Sequence, residues 1–328
     1  MLFNEIDLNL KPIKPYINWL TGHSQTLLGH LIASPLFNRQ TTLDELKLSD
    51  GDSLGLHIYR GTLPYTVCLF HGLSGSHKSD YVQRTARIAA NIGFSVVMVD
   101  LRGTESVYGK AKKPYHSGRG EDTSQVIQHV RLRFPKDKII AAGFSMSGSM
   151  ILNMLCQRHG DVMPDYGITV NAPIDLESAS LKLNSGLNKI YDLRFYFLLK
   201  KMIDQFEYNE KLPTFGTTYL IDDKFTSKMC SFENAQDYYD KCSAKKYLHQ
   251  IKTPTFILTS QDDPFIDFKH YVAAKWSDSV HKTFVPYGGH VGYLQKSQKM
   301  EQSGEPSIRW LDHYFFTVFN KILNLSQS

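Results

Sequence analysis

Residues 143–148 read Gly-Phe-Ser-Met-Ser-Gly and directly follow the apolar run Lys138-Ile139-Ile140-Ala141-Ala142. That run has the length and β-branched content of a buried strand, so Ser145 falls on a strand-to-helix corner. A serine held in such a corner projects its hydroxyl above the sheet edge, where an adjacent base can activate it to attack a carbonyl carbon. The position also suits a capping role, with Ser145 or Ser147 accepting from the free amides of the following helix. The usual spacing is Gly-x-Ser-x-Gly; here Ser147 stands at the last glycine and Gly148 one place further on.

Nucleophilic serine chemistry needs a base and an orienting carboxylate, in the chain order Ser, Asp, His for a strand-borne serine of this kind. Thr255-Phe256-Ile257-Leu258-Thr259 reads as a strand and ends in Ser260-Gln261-Asp262-Asp263-Pro264, which puts two neighbouring carboxylates just past its C-terminal end. Pro264 fixes that loop and prevents an immediate helix. Lys282-Thr283-Phe284-Val285-Pro286 resembles the last strand and leads into Tyr287-Gly288-Gly289-His290-Val291-Gly292, whose glycines let a histidine-bearing loop fold back over the sheet. His290 is the expected base. Of Asp262 and Asp263, only one can point at it.

Attack on a carbonyl also needs fixed donors for the oxyanion. Tyr65-Thr66-Val67-Cys68-Leu69-Phe70 is a buried-strand pattern running into His71-Gly72-Leu73-Ser74-Gly75. The backbone amide of Leu73 can then pair with that of Met146, the residue after the serine. His71, His116 and Phe144 are candidate pocket residues, although His71 at a strand end also fits a hydrogen-bonded scaffold. His116 fits a loop brace, and Glu121-Asp122 suit the acidic first turn of a helix.

The elements that must carry these residues alternate apolar strand runs with helical stretches. Ser95-Val96-Val97-Met98-Val99-Asp100 after a helix around residues 81–91 is the clearest case, and the pattern predicts an α/β fold of parallel βαβ units. With no Pro/Gly/Ser-rich linker, the 328 residues read as one domain, 1–328. Residues 176–235 are too long for one crossover and read as a helical lid insertion. In it, Tyr191, Phe195, Leu198, Leu199 and Met202 recur at helical spacing, with Lys189, Arg194, Lys200 and Lys201 as a basic complement. That stripe either packs on the enzyme body or lines an acyl pocket beneath a lid whose bases favour an anionic lipid surface.

Net charge is only +5, with bases scattered among acids, which argues against nucleic-acid binding. The first residues, Met1 to Asp7, carry acids where a signal peptide has bases, and no run reaches the ~18 apolar residues of a membrane span. Cys68, Cys156, Cys230 and Cys242 are too scattered for a zinc site and read as reduced thiols of a cytoplasmic protein. No metal or other cofactor is expected, because serine acyl transfer needs none and no His-x-x-x-His spacing occurs.

The chain resembles the α/β-hydrolase subgroup that includes bacterial YheT-type hydrolases and eukaryotic abhydrolase-domain proteins. The likeness spans nearly the whole length. It rests on Gly22-His23-Ser24-Gln25-Thr26, His71-Gly72-Leu73-Ser74-Gly75, Leu101-Arg102-Gly103, Tyr115-His116-Ser117-Gly118, Gly143-Phe144-Ser145-Met146-Ser147-Gly148, Asp237-Tyr238-Tyr239, Asp262-Asp263-Pro264-Phe265 and Gly288-Gly289-His290-Val291-Gly292. Similar proteins carry glycine at Ser147. The resemblance implies a mostly parallel sheet flanked by helices and an ester hydrolase with a Ser145, Asp263, His290 triad. Asp263 is preferred over Asp262 because the residue before the proline is the acid in similar loops. The expected substrates are small-molecule or lipid esters, with peripheral membrane contact open. The rivals are a thioesterase or other acyl hydrolase, and a non-catalytic binding protein on the same fold.

Overall fold

The computed structural model describes residues 3–15, 21–33, 35–299 and 306–325. Eight strands form the main sheet: β1 (Thr42–Lys47), β2 (Ser53–Tyr59), β3 (Tyr65–Phe70), β4 (Ser95–Asp100), β5 (Lys138–Phe144), β6 (Tyr166–Val170), β7 (Thr255–Ser260) and β8 (Val280–Val285). Their order is β1-β2-β4-β3-β5-β6-β7-β8. β2 runs antiparallel to both β1 and β4, and all pairings from β4 across to β8 are parallel.

Side-chain alternation builds the core. Cys68, Phe70, Val97, Val99, Ile139 and Ala141 face one apolar layer, and Val67, Leu69, Val96, Met98, Ile140 and Ala142 face the other. Helix α1 (Gly22–Leu31) precedes the sheet, and α2 (Asp80–Ile92), α3 (Gly120–Arg133) and α4 (Met146–Leu155) cross between strands. α3 and α4 cover the first layer and α2 the second. A sheet covered on both faces requires the near-continuous apolar strands seen at β3, β4 and β5. By contrast, the edge strand β1 has no buried residue.

Between β6 and β7 lie α5 (Leu176–Leu183), α6 (Lys189–Ile203), α7 (Thr218–Ile221), a π-helical turn over Asp222–Thr226, α8 (Ser227–Met229) and α9 (Ala235–Cys242). This segment has a small core of its own in Tyr196, Leu199, Ile203, Phe206, Ile221 and Phe225. After α10 (Phe268–Ala273) come the hairpin β9 (Leu294–Lys299) and β10 (Pro306–Arg309), then α11 (Trp310–Leu325), which packs beside α2 on the second layer. Buried Arg84 of α2 pairs with Asp80 and with Asp312 of α11. Among the described residues, no helix is long and apolar enough to cross a membrane, and all four cysteines are free thiols.

Candidate active site

β5 ends at Phe144 and α4 starts at Met146, leaving Ser145 alone in the corner at φ 54° and ψ −123°. A left-handed conformation at a non-glycine residue is strained and persists only where its surroundings enforce it. Here the Ser145 amide donates to the Val170 carbonyl at 2.8 Å. Ser145 makes no side-chain cap on α4. Ser147, fully buried, accepts from the Phe144 amide at 2.9 Å and donates to the Phe70 carbonyl at 2.6 Å, with the Phe144 carbonyl 3.0 Å away. The hydroxyl that stands in place of glycine thus ties the corner to the end of β3. Ser147→Ala leaves those buried groups unpaired, and urea titration should show about 1–3 kcal/mol less stability; an unchanged midpoint and slope would contradict this role.

His290 Nε2 lies 2.8 Å from Ser145 Oγ, and its Nδ1 lies 2.8 Å from Asp263 Oδ2. A carboxylate at Nδ1 takes the ring N–H there and leaves Nε2 as the acceptor for the serine hydroxyl. Asp263 is buried and fully engaged: Oδ1 accepts from the Phe265 and Ile266 amides at 2.7 and 3.1 Å, and Oδ2 also accepts from Asn171 Nδ2 at 2.6 Å. The Tyr293 hydroxyl in turn donates to Asn171 Oδ1 at 2.6 Å. Asp262 turns elsewhere and accepts from the Gly289 amide at 2.9 Å. Burial raises its pKa.

The segment Gly22-His23-Ser24-Gln25-Thr26, for which residue types alone suggest no role, holds the histidine loop. Thr26 Oγ1 accepts from the His290 amide at 2.8 Å while donating to the Gly22 carbonyl at 2.6 Å. Gln25 makes a two-way bond with the backbone of Leu294, at 3.0 and 2.7 Å. α1 approaches so closely that a Cβ at Gly22 would lie 1.7 Å from the Asp262 carbonyl oxygen. Gly289 sits at φ 56°, where a Cβ would also meet the Gly22 carbonyl oxygen at 2.4 Å.

The amides of Leu73 and Met146 have no protein acceptor among the described residues. The loop after β3 is pinned around them: the Tyr81 hydroxyl accepts from the Gly72 amide and the Tyr115 hydroxyl from the Ser74 amide, both at 2.9 Å. His71 is buried below that loop, with Nδ1 2.8 Å from the Gly72 carbonyl and Nε2 accepting from the Leu101 amide at 3.2 Å. Burial lowers its pKa to about 4, so it is neutral and serves as scaffold.

Where that loop passes β2 and β4, its His77 meets His57 and Asp100, the three bringing ligand-type atoms within 4.8 Å of one another. The Asp100 carboxylate already accepts from His57 Nε2, His77 Nδ1 and the Ser106 hydroxyl at 3.1, 2.8 and 2.7 Å. The two rings are stacked with centroids 3.6 Å apart. Near-parallel stacked rings offer no point lying in both ring planes, where a shared metal would have to sit. The cluster is a hydrogen-bonded brace.

Above Ser145 and His290 opens a cleft. Its walls are mainly apolar, with Leu73, Met146, Phe195, Leu199, Met202 and Phe265 among them, and His116 also lines it. The other two candidate pocket residues do not: His71 is under the loop and Phe144 packs in the core against Tyr81 and Phe315. His116 is held against Phe232 and Tyr238 and accepts from the Gly118 amide at 3.1 Å; burial lowers its pKa well below the usual range. Nearby, Asp122 is bound by Arg102 through two bonds of 2.6 and 2.7 Å, and Glu121 lies 3.1 Å from His159.

One carboxyl in the cleft was not singled out by the sequence. Asp222 accepts from Tyr239 Oη at 2.8 Å and Thr226 Oγ1 at 3.1 Å, and has no basic partner among the described residues. Burial, with neighbouring Asp192, pushes its pKa up to about 7. Between its unfolded value near 4 and about 7 the folded state therefore holds the extra proton, so this group makes stability fall as pH rises through that window. Unfolding at pH 5 and pH 8 should show Asp222→Asn gaining on the wild type by up to a few kcal/mol; parallel pH dependences would contradict the assignment.

A serine, a histidine and a buried carboxylate hydrogen-bonded in series at the C-terminal edge of a mostly parallel sheet define a serine hydrolase of the α/β-hydrolase fold. Residues 64–289 match the family described as serine aminopeptidase S33, and the chain belongs to that hydrolase family. It is similar to YheT of Escherichia coli strain K12, 29% identical over 297 residues covering 83% of this chain and 84% of that one. It is also similar to human phospholipase ABHD3, 28% identical over 304 residues covering 84% of this chain and 71% of that one. Esterase Pf2001 of Pyrococcus furiosus has the same fold, with a TM-score of 0.54 at 16% identity over 86% of this chain and 91% of that one.

Proposed function

We propose that the protein is a carboxylic ester hydrolase working through an acyl-enzyme on Ser145. The observation that carries this reading is the pair of 2.8 Å contacts linking Ser145, His290 and Asp263. His290 Nε2 takes the hydroxyl proton as Ser145 Oγ attacks the ester carbonyl, and Asp263 holds the tautomer and stabilises the imidazolium. The oxyanion falls to the amides of Leu73 and Met146. His290 then returns the proton to the leaving alkoxide, and water, activated by the same ring, releases the acid.

The helical segment 176–235 acts as a lid, with Phe195, Leu199 and Met202 as the acyl-facing wall. A cleft with mainly apolar walls favours acyl or lipid esters over short ones, in keeping with a relative named as a phospholipase. Thioesters are open to the same machinery, since the triad is indifferent to that leaving group. Initial rates over p-nitrophenyl esters from acetate to palmitate test the reading. An optimum in kcat/KM beyond acetate is expected, and a preference for acetate or no turnover at any length would overturn it.

A further inference from the structure

Helix α6 is apolar on two opposite sides. Tyr196, Leu199 and Ile203 are buried in the body, while Ile190, Leu193, Phe197 and Leu198 are 72, 36, 43 and 41% exposed. At helical spacing these four share one stripe with Arg194 and Lys201. The stripe continues onto neighbouring elements. The Phe197 ring meets that of exposed Phe215 at 5.8 Å between centroids, and Arg194 reaches His30 Nε2 of α1 at 3.0 Å, where Leu27 and Leu31 are also exposed. A contiguous run of large apolar side chains is uncommon on a surface that meets only water.

The exposed charged residues within α6 are basic, and exposed Asp204 follows at its C-cap. Lys189, Arg194 and Lys201 are exposed and pair with no carboxylate among the described residues. The acid of α6, Asp192, is turned inward, accepting from the Thr218 amide and hydroxyl at 2.8 and 2.6 Å. A second copy of the chain docked here would bring these bases toward their own counterparts. Anionic head groups complement them instead, while acyl chains accept the apolar stripe. We propose that the α1–α6 face docks on an anionic lipid bilayer, with Ile190, Phe197 and Leu31 entering the head-group boundary. The opposite side of the same helix, through Phe195, Leu199 and Met202, walls the cleft over Ser145, so docking sets α6 between that cleft and the membrane.

The inference does not rest on ester hydrolysis, because binding can be read in the full chain carrying Ser145→Ala. That protein is sedimented with phosphatidylcholine vesicles, with or without about 30% phosphatidylglycerol. Expected is pelleting with the anionic vesicles, weakened by salt. Adding Ile190→Ser with Phe197→Ser should weaken partitioning about tenfold or more, and Arg194→Glu with Lys201→Glu should remove the preference for anionic lipid. The two double variants should keep the far-UV circular dichroism and the thermal unfolding midpoint of the parent protein, which shows that they fold. Protein left in the supernatant, undiminished binding by both double variants, or concentration-dependent self-association abolished by Ile190→Ser with Phe197→Ser would overturn the inference, the last assigning the face to a second copy.

Discussion

Ser145→Ala should lower kcat on the best p-nitrophenyl ester by about 10⁶-fold, to the level set by binding and the oxyanion donors alone. The size of the loss follows from the geometry. His290 has no other hydroxyl at its Nε2 among the described residues, so no second nucleophile inherits the proton transfer. Because Ser145 already occupies a strained corner at φ 54°, alanine there removes the nucleophile without relieving or adding backbone strain. Stability should therefore stay near that of the wild type, separating lost chemistry from lost fold. A rate within about tenfold of the wild type would mean that these esters are cleaved by another group.

The second large effect separates the two neighbouring carboxylates. Asp263→Asn should cost ~10⁴-fold in kcat, because an amide at Oδ2 can present N–H to Nδ1 and favour the tautomer that can no longer accept from Ser145. Asp262→Asn should keep kcat within about tenfold while weakening the anchor on the Gly289 amide, a smaller loss of order 1 kcal/mol in stability. Activity retained in Asp263→Asn and lost in Asp262→Asn would reverse the two assignments. Steady-state rates with a denaturation curve for each variant decide the matter.

Much of this arrangement is readable in the chain because the residues concerned have strong local signals. β3, β4, β5 and β7 are buried along nearly their whole length, so their apolar, β-branched runs stand out, and Ser145 and Asp263 follow such runs within a few residues, whereas His290 follows the part-buried edge strand β8 and is marked by its flanking glycines. β1 carries no comparable signal. Thr42–Lys47 is an exposed edge with three charged residues in six, and its pairing is set by tertiary register with β2. The role of α1 is invisible for a different reason: Thr26 acts on His290 across 264 positions, and nothing local in Gly22–Thr26 announces a distant partner.

Helix α6 shows where periodicity alone falls short. Its apolar residues predict one stripe, yet Leu199 is buried and lines the cleft while adjacent Leu198 stands 41% exposed. A helix apolar on two sides has two readings, and only the position of its neighbours tells them apart. Ser147 is a similar case. As a departure from the glycine pattern it reads as a weakness, whereas its hydroxyl supplies a buried bond to Phe70 that glycine lacks.

The most direct measurement is intact-protein and peptide mass spectrometry after reaction with an alkyl fluorophosphonate, which captures an activated serine covalently. The expected result is one adduct per chain, located on the peptide that carries Ser145, formed in step with loss of ester hydrolysis and absent from Ser145→Ala. Loss of activity with the adduct on another residue, or full modification elsewhere with Ser145 untouched, would contradict Ser145 as the nucleophile.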